Sequence, residues 1–181
     1  ERIVAHGQAL LVTRAEPEAY TAVSARLPNA NYHEGARVIT LPQGDTPAGK
    51  GTVLITCAGT SDLPIAEEAA ITAELMGNTV DRLYDVGVAG LHRLLAEQSK
   101  LHSARVIVVV AGMEGALPSV VAGLVKVPVI AVPIPEAGPL PIGVQIIGPP
   151  WREDLCFRAA AALEASGAAA APPIPATASQ N

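Results

Sequence analysis

Apolar runs that alternate with helical patterns, about 25 residues apart, constrain the fold of this chain most strongly. Val53–Cys57, Val80–Tyr84, Val106–Val110 and Pro128–Val132 each predict a strand, and a pattern typical of a helix separates each from the next. Val106–Val110 is apolar without interruption, which is typical of a central strand buried on both faces. Since this order requires crossover helices, the sequence predicts an open, doubly wound α/β domain with a parallel sheet.

Further elements are predicted on both sides of this pattern. Before it, Ala9–Thr13 predicts a strand, Glu16–Leu27 a helix and Tyr32–Leu41 another strand, which together form a partial βαβ segment. After residue 132, prolines interrupt the chain and leave one predicted strand at Gly143–Ile147 and one helix at Glu153–Ala165. The predicted organisation is an N-terminal segment at residues 1–48, a core at 49–132, a strand-plus-helix tail at 133–165 and a disordered Ala/Pro-rich end at 166–181.

Charge and cysteine content limit the partners that this chain is expected to have. A formal net charge of −5 gives no support for nucleic acid or an anionic membrane surface as partner. A membrane-spanning helix needs roughly 18 apolar residues in a row, and no apolar run in this sequence approaches that length. We therefore expect no membrane-spanning helix. The two cysteines are too few for a disulfide framework or a zinc site. The sequence therefore predicts no metal site, and a cytoplasmic location is expected.

Glycine-rich loops follow three consecutive predicted strands, at Gly59–Asp62, Tyr84–Arg93 and Ala111–Pro118. Because parallel strands end at the same edge of a sheet, we expect these loops to converge over one crevice. Each loop leads into a helix N-terminus, where backbone N–H groups favour an anion. One such loop alone is more often an ordinary turn, but three together favour a ligand-binding site. The predicted binding residues are Gly59, Thr60, Ser61, Asp62, Asp85, Gly87, Val88, Ala89, Gly90, His92, Arg93, Gly112, Met113, Glu114, Gly115, Ala116 and Leu117.

The polar residues of these loops each have a structural and a functional interpretation. Asp62 either caps the following helix through the N–H of Ile65 or contacts a ligand, with equal weight. Asp85 has two interpretations of equal weight as well: it either caps a turn or binds a ligand. His92 and Arg93 fall in the first turn of a helix, where a cation opposes the helix dipole, so a bound anion is favoured. The catalytic residues stay open, with Asp62 and His92 as candidates.

Longer motifs around these loops are similar to those of a known family. Ala58–Ala69, Leu83–Arg93, Ala111–Ser119 and Tyr32–Arg37 resemble LarB, a nickel-pincer-cofactor biosynthesis protein related to the PurE aminoimidazole ribonucleotide carboxylases. The resemblance covers residues 1 to about 132, so residues 1–48 are LarB-like and 49–132 are a PurE-like core. It implies a flavodoxin-like, three-layer α/β/α sandwich that assembles as a homo-oligomer, with an octamer as the expected form.

The resemblance also implies a reaction, which is carboxylation of the pyridinium ring of nicotinic acid adenine dinucleotide with release of AMP. Its co-substrate would be CO₂ or bicarbonate, and a role for Mg²⁺ stays open. In the LarB family a cysteine adds to the ring and makes a ring carbon nucleophilic. That cysteine follows a further loop and helix beyond the strand equivalent to Pro128–Val132, and the residues after Val132 do not continue that pattern. A catalytically silent nucleotide-binding or assembly protein is therefore the alternative.

The tail has a resemblance of its own. Pro139–Leu155 and Arg158–Glu164 resemble the C-terminal end of an amidase-signature hydrolase. Those hydrolases use a Ser-Ser-Lys arrangement in a glycine- and serine-rich segment, and this chain contains no such segment. We therefore expect no amidase activity and predict that the tail strand and helix cover apolar sheet surface. An accessory role in an amide-hydrolysing system is the third functional hypothesis.

Overall fold

A computed structural model describes residues 2–112, 115–134, 145–148 and 153–165. Met113 and Glu114 of the predicted site lie outside the described residues, and so does the end predicted to be disordered, at 166–181. The strands are β1 (Leu10–Val12), β2 (Asn31–His33), β3 (Val38–Leu41), β4 (Thr52–Cys57), β5 (Thr79–Leu83), β6 (Val106–Ala111), β7 (Val129–Pro133) and β8 (Gln145–Ile147). The helices are α1 (Arg2–Ala5), α2 (Pro17–Ser24), α3 (Leu63–Leu75), α4 (Leu91–Ala96), α5 (Gln98–Ser103), α6 (Leu117–Leu124) and α7 (Glu153–Ala165).

The larger sheet has the strand order β5-β4-β6-β7-β8. Strands β4 to β7 pair in parallel, and β8 adds an antiparallel strand at the β7 edge. The chain passes from β4 to β5 on one side and then crosses to β6 on the other side of β4. The strand order thus reverses between β4 and β6, which is the point where sheets of this type bind their ligands. The predicted α/β fold with a parallel core sheet is confirmed.

Helices cover both faces of this sheet, because alternate side chains of each strand point to opposite faces. Leu54 of β4 belongs to a buried cluster with Leu94 of α4 and Val121 of α6. The next residue, Ile55, belongs to a separate cluster with Ala70 of α3. All five side chains are fully buried, and burying a large aliphatic side chain contributes about 1.5–3 kcal/mol. The result is a three-layer sandwich.

The N-terminal segment differs from its prediction. A single strand over Tyr32–Leu41 is wrong, because residues 34–36 form a 3₁₀ turn and Arg37 adopts a left-handed backbone with φ 54°. The chain therefore reverses, and His33 of β2 faces Val38 of β3 in an antiparallel pair. With β1, these strands form a three-stranded antiparallel sheet in the order β1-β3-β2. Val38 packs with Ile71 of α3, so α3 lies between the two sheets.

The helical pattern between the predicted strands Val80–Tyr84 and Val106–Val110 predicts one helix over Ala89–Ser99, but the structure divides it into two short helices. Glu97, with φ −103° and ψ 26°, separates α4 from α5, and its N–H donates to the carbonyl of Leu94. None of the helices in the described ranges is long and apolar enough to cross a membrane.

The tail elements occupy the predicted positions, but the helix covers less than expected. Strand β8 extends the sheet, and Ile147 packs against the core cluster of the α4–α6 face. On α7, Phe157 is 74% exposed and Leu163 is 36% exposed. Leu163, which the helical pattern places on the apolar face, is therefore not fully covered, and Phe157 lies on the exposed side.

Candidate functional site

A cleft of about 330 Å³ opens at the carboxyl edge of the core sheet, at the point where the strand order reverses. We call it the loop cleft, because the loops after β4, β5 and β6 all contribute to it. Every described lining residue except Ala58 belongs to the predicted binding set. The lining residues are Ala58, Gly59, Ser61, Asp62, Gly87, Val88, Ala89 and Gly112.

Asp62 places a buried carboxylate in the wall of this cleft, with only 6% of the residue exposed. Its Oδ2 accepts the N–H of Gly59 at 3.0 Å, and its Oδ1 accepts the hydroxyl of Ser61 at 3.4 Å. The predicted cap on Ile65 is wrong, since the side chain makes no hydrogen bond to the start of α3. Within the described part of the chain, no lysine or arginine forms an ion pair with Asp62. The carboxylate is thus held in place by the loop itself.

Gly87 brings the second loop into contact with the first. Its N–H donates to the carbonyl oxygen of Ala58 at 2.9 Å, and the N–H of Val86 donates to the carbonyl of Cys57 at 3.2 Å. A Cβ atom on Gly87 would lie 2.7 Å from that same Ala58 oxygen. Since a backbone carbonyl cannot move away cheaply, only glycine permits this close approach.

Gly112 supplies the contribution of the third loop. A Cβ atom there would lie 3.5 Å from Oδ1 of Asp62 and 3.6 Å from the Cβ of Ile134. The missing side chain therefore leaves the space beside the carboxylate open. The loop closes through the N–H of Gly115, which donates to the carbonyl of Gly112 at 3.1 Å.

Other residues of the predicted set lie outside the cleft lining. Arg93 forms an ion pair with Asp85, and both side chains are about half exposed. His92 is exposed on α4. The side chain of Leu117 is buried in the core, so only its backbone is available to a ligand. Also outside the lining are Thr60, Gly90, Gly115 and Ala116.

Cys57 lies directly before the first loop and is fully buried. Burial raises the pKa of the Cys57 thiol, a backbone hydrogen bond at Asp85 lowers it, and the charge of Asp62 raises it further. The pKa stays above its usual value, so the thiol is protonated at neutral pH and is a poor nucleophile. Cys156 is partly exposed on α7 and does not line the loop cleft.

Two further hydroxyl groups are buried near the ends of these strands. The hydroxyls of Thr56 and Tyr84 have no hydrogen-bond partner among the described residues. Burial raises the pKa of Tyr84, and the charge of the nearby Glu67 raises it further. Across the described ranges, no group of three or more His, Cys, Asp or Glu side chains could hold a metal ion.

Sequence reasoning missed Ala58 and a neighbouring cleft that contains Arg14 and Arg37. The need for glycine at position 87 signals a close neighbour, but the identity of that neighbour depends on how the loops pair. In the sequence, Arg37 stands out only as part of the motif Tyr32–Arg37, and no local pattern marks Arg14.

A parallel sheet with a glycine-lined cleft at its switch point defines a doubly wound α/β domain that binds its ligand at the strand ends, which is consistent with a PurE-like, flavodoxin-like fold. Comparison with known families agrees. The AIR carboxylase family model matches residues 52–141, and the LarB/PurE-like N-terminal domain model matches residues 1–43. The two matches together confirm the resemblance to LarB and PurE seen in the sequence, and they point to a carboxylase-related family.

An uncharacterized protein of Methanocaldococcus jannaschii is 55% identical over 85 residues, which is 46% of this chain and 33% of that relative. The match thus spans about a third of the relative's length. The AIR carboxylase match runs to residue 141, into the start of the segment that resembles an amidase-signature hydrolase. That second resemblance gains no support from these matches.

Proposed function

We propose that the loop cleft binds a nicotinate nucleotide and that the chain acts as a nicotinate-nucleotide carboxylase of nickel-pincer-cofactor biosynthesis. The substrate would be nicotinic acid adenine dinucleotide and the co-substrate CO₂ or bicarbonate, and water would cleave the phosphoanhydride bond to release AMP and the carboxylated mononucleotide. The matches to a carboxylase-related family support the reaction class. The observation that carries the proposal is the convergence of three loops on one cleft whose wall contains the buried Asp62 carboxylate.

Asp62 is the one ionisable side chain among the described residues that line the cleft. Replacing a ring hydrogen by a carboxyl group requires a base that takes the ring proton, and a fixed carboxylate within reach can do this. The hydrogen bonds from Gly59 and Ser61 hold the carboxylate in one orientation. In this proposal a nucleophile from outside the described lining first adds to the ring, the ring carbon takes CO₂, and Asp62 accepts the ring proton as the nucleophile leaves.

The remaining walls suit the rest of the nucleotide. Gly59, Gly87 and Gly112 expose backbone where a phosphate or ribose can approach closely. Val88 and Ala89 add small apolar surface on which a flat ring can rest. His92 is not part of the lining, so the proposal gives it no catalytic role.

Mg²⁺ fits this site only as a partner of substrate phosphates. The lining offers the single carboxylate of Asp62, and Mg²⁺ is commonly held by one or two carboxylates together with phosphate oxygens. When bound it would neutralise phosphate charge. We also propose that the chain forms a homo-oligomer, an octamer as the family resemblance implies, and that it is cytoplasmic. Mass photometry of the purified chain tests the oligomeric state.

A nucleotide-binding protein without catalytic activity is the second candidate function. It is favoured by Cys57, the one cysteine beside the loop cleft, because its thiol is buried and protonated at neutral pH. A pyridinium ring is electron-poor, so it takes CO₂ only after a nucleophile has added to it. No described lining residue is a cysteine that could add to the ring.

Incubation with nicotinic acid adenine dinucleotide and ¹³C-bicarbonate tests the proposal. We expect mass spectrometry to detect both a ¹³C-carboxylated pyridinium nucleotide and AMP. Neither product, together with thermal stabilisation by nicotinic acid mononucleotide, would favour the silent binding protein. Neither product and no stabilisation at millimolar nucleotide would contradict both candidates.

A further inference from the structure

A second cleft, of about 410 Å³, lies between the N-terminal sheet and the start of α3. We call it the arginine cleft, because Arg14 and Arg37 both line it. Arg14 follows β1 and Arg37 precedes β3, and these strands pair in antiparallel fashion. The N–H of Ala15 donates to the carbonyl of Arg37 at 2.7 Å, which fixes the two arginines as neighbours.

The charges of this cleft favour an anion. Arg37 forms an ion pair with the exposed Glu16, whereas Arg14 has no ion pair within the part of the chain that the structure describes. Glu68 is the one acidic residue in the described lining, against two arginines. Glu16 and Glu68 balance the two arginines in number, and the guanidinium of Arg14, which has no ion pair among the described residues, is the group left to receive an anion. A guanidinium presents several N–H donors in one plane, which suits phosphate oxygens.

The backbone at both arginines adds a second observation. Arg14 has φ 53° and Arg37 has φ 54°, in the left-handed region. A residue with a Cβ atom occupies this region at a cost of about 1 kcal/mol. The fold thus keeps two long cationic side chains at positions where glycine or asparagine would fit with less strain.

The two clefts share a wall. Asp62 lines the loop cleft, and Pro64 and Ile65, which follow almost directly in the chain, line the arginine cleft. The clefts also meet at a second point, where Gly112 of the loop cleft lies against Ile134 of the arginine cleft. A ligand with two linked halves could therefore occupy both clefts.

We propose that the arginine cleft binds a nucleoside phosphate, namely the AMP half of a dinucleotide whose pyridinium half occupies the loop cleft. This inference rests on the proposed function and extends it, because it explains how the chain would select a dinucleotide rather than a mononucleotide. Arg14 contacts the phosphate, and Arg37 supports it while paired with Glu16.

Calorimetric titration with two separate halves tests this directly. AMP and nicotinic acid mononucleotide are expected to bind together to the unaltered chain, each without displacing the other. Arg14→Asn is expected to weaken AMP binding at least tenfold and to leave mononucleotide binding within twofold. Asparagine is chosen because it tolerates the left-handed backbone while it removes the charge. Arg14→Lys, which keeps the charge but not the planar donor group, is expected to lose less.

Arg105→Asn is the matched control, since Arg105 is exposed and precedes β6 at the edge of the sheet opposite the loop cleft. It is expected to bind both ligands normally. Competition between AMP and the mononucleotide for one site, or unchanged AMP binding by Arg14→Asn, would overturn the inference alone. The same holds if the unaltered chain binds the mononucleotide but not AMP. If it binds neither, the proposed function fails as well.

Discussion

The loop cleft and the arginine cleft lie on either side of one wall and are built from different parts of the chain. Short side chains, exposed backbone and one buried carboxylate line the first, whereas two long cations from the N-terminal sheet line the second. The loop cleft therefore depends on where the backbone runs, and any added atom at Gly87 would disturb it. The arginine cleft depends on two side chains and on the packing of Val38 against Ile71. Substitutions should consequently affect the two clefts in different ways.

The largest expected effect is on the chemistry of the loop cleft. Asp62→Asn keeps an oxygen that can accept the N–H of Gly59 but removes the base, so we expect carboxylation to fall at least about 100-fold. The measurement is the rate of ¹³C incorporation at saturating substrate. Asp81→Asn, an exposed carboxylate on β5, is the control and should retain the full rate. Activity within threefold of the unaltered chain in Asp62→Asn would remove Asp62 from the mechanism.

Gly87→Ala tests the dependence of the loop cleft on backbone position. The new Cβ atom would lie 2.7 Å from the Ala58 oxygen, so the two loops must separate, and we expect the free energy of unfolding to fall by about 2 kcal/mol. Urea denaturation measures this change. Gly123→Ala is the control, because a Cβ atom there meets nothing within 4 Å, so stability should not fall. Equal stability of the two variants would show that the loops are not in close contact.

Glu68→Gln tests whether the charge of the arginine cleft controls AMP binding. Removing the one described acidic lining residue makes this cleft more positive, so AMP should bind about threefold more tightly, which corresponds to about 0.65 kcal/mol. Titration calorimetry at low ionic strength is the measurement. Binding of the mononucleotide in the loop cleft should stay the same. Weaker AMP binding would mean that Glu68 contacts the nucleotide instead of opposing it.

Alkaline pH should lower the free energy of unfolding gradually, and this is the smallest effect that we expect. The groups responsible lie beside the loop cleft. Burial raises the pKa values of Cys57 and Tyr84 in the folded chain. Both groups ionise more readily in the unfolded chain, so their contribution to stability is complete at lower pH and is lost above about pH 9. Urea denaturation at pH 7 and pH 10.5 measures this loss. Tyr84→Phe should reduce it, and an equal loss in both proteins would contradict the assignment to Tyr84.

Much of the core could be predicted from the sequence, because parallel strands buried on both faces leave a strong local pattern. Val106–Val110 has such a pattern, and the structure gives β6 over Val106–Ala111. The reversal at Arg37 could not be predicted, since the left-handed position falls on an arginine instead of the nearby Gly35. Glu97 likewise divides a helix without any glycine or proline to signal it.

In the candidate site, too, local sequence signals could be predicted, whereas contacts between distant parts of the chain could not. The three loops were predicted because glycine after a strand is a local signal, and the structure places residues of all three in one cleft. The hydrogen bond from Gly59 to Asp62 depends on the 3₁₀ turn at residues 60–62, which moves the carboxylate away from Ile65. The arginine cleft arises only where two sheets meet around α3, and no local pattern encodes such a meeting.

The most direct test is a crystal structure of the chain with nicotinic acid mononucleotide bound. We expect the nucleotide over the carboxyl ends of β4 and β6, in contact with Gly59, Gly87 and Gly112, with its ring within about 3.5 Å of the Asp62 carboxylate. A nucleotide bound elsewhere, while these loops face an empty cleft, would contradict the account.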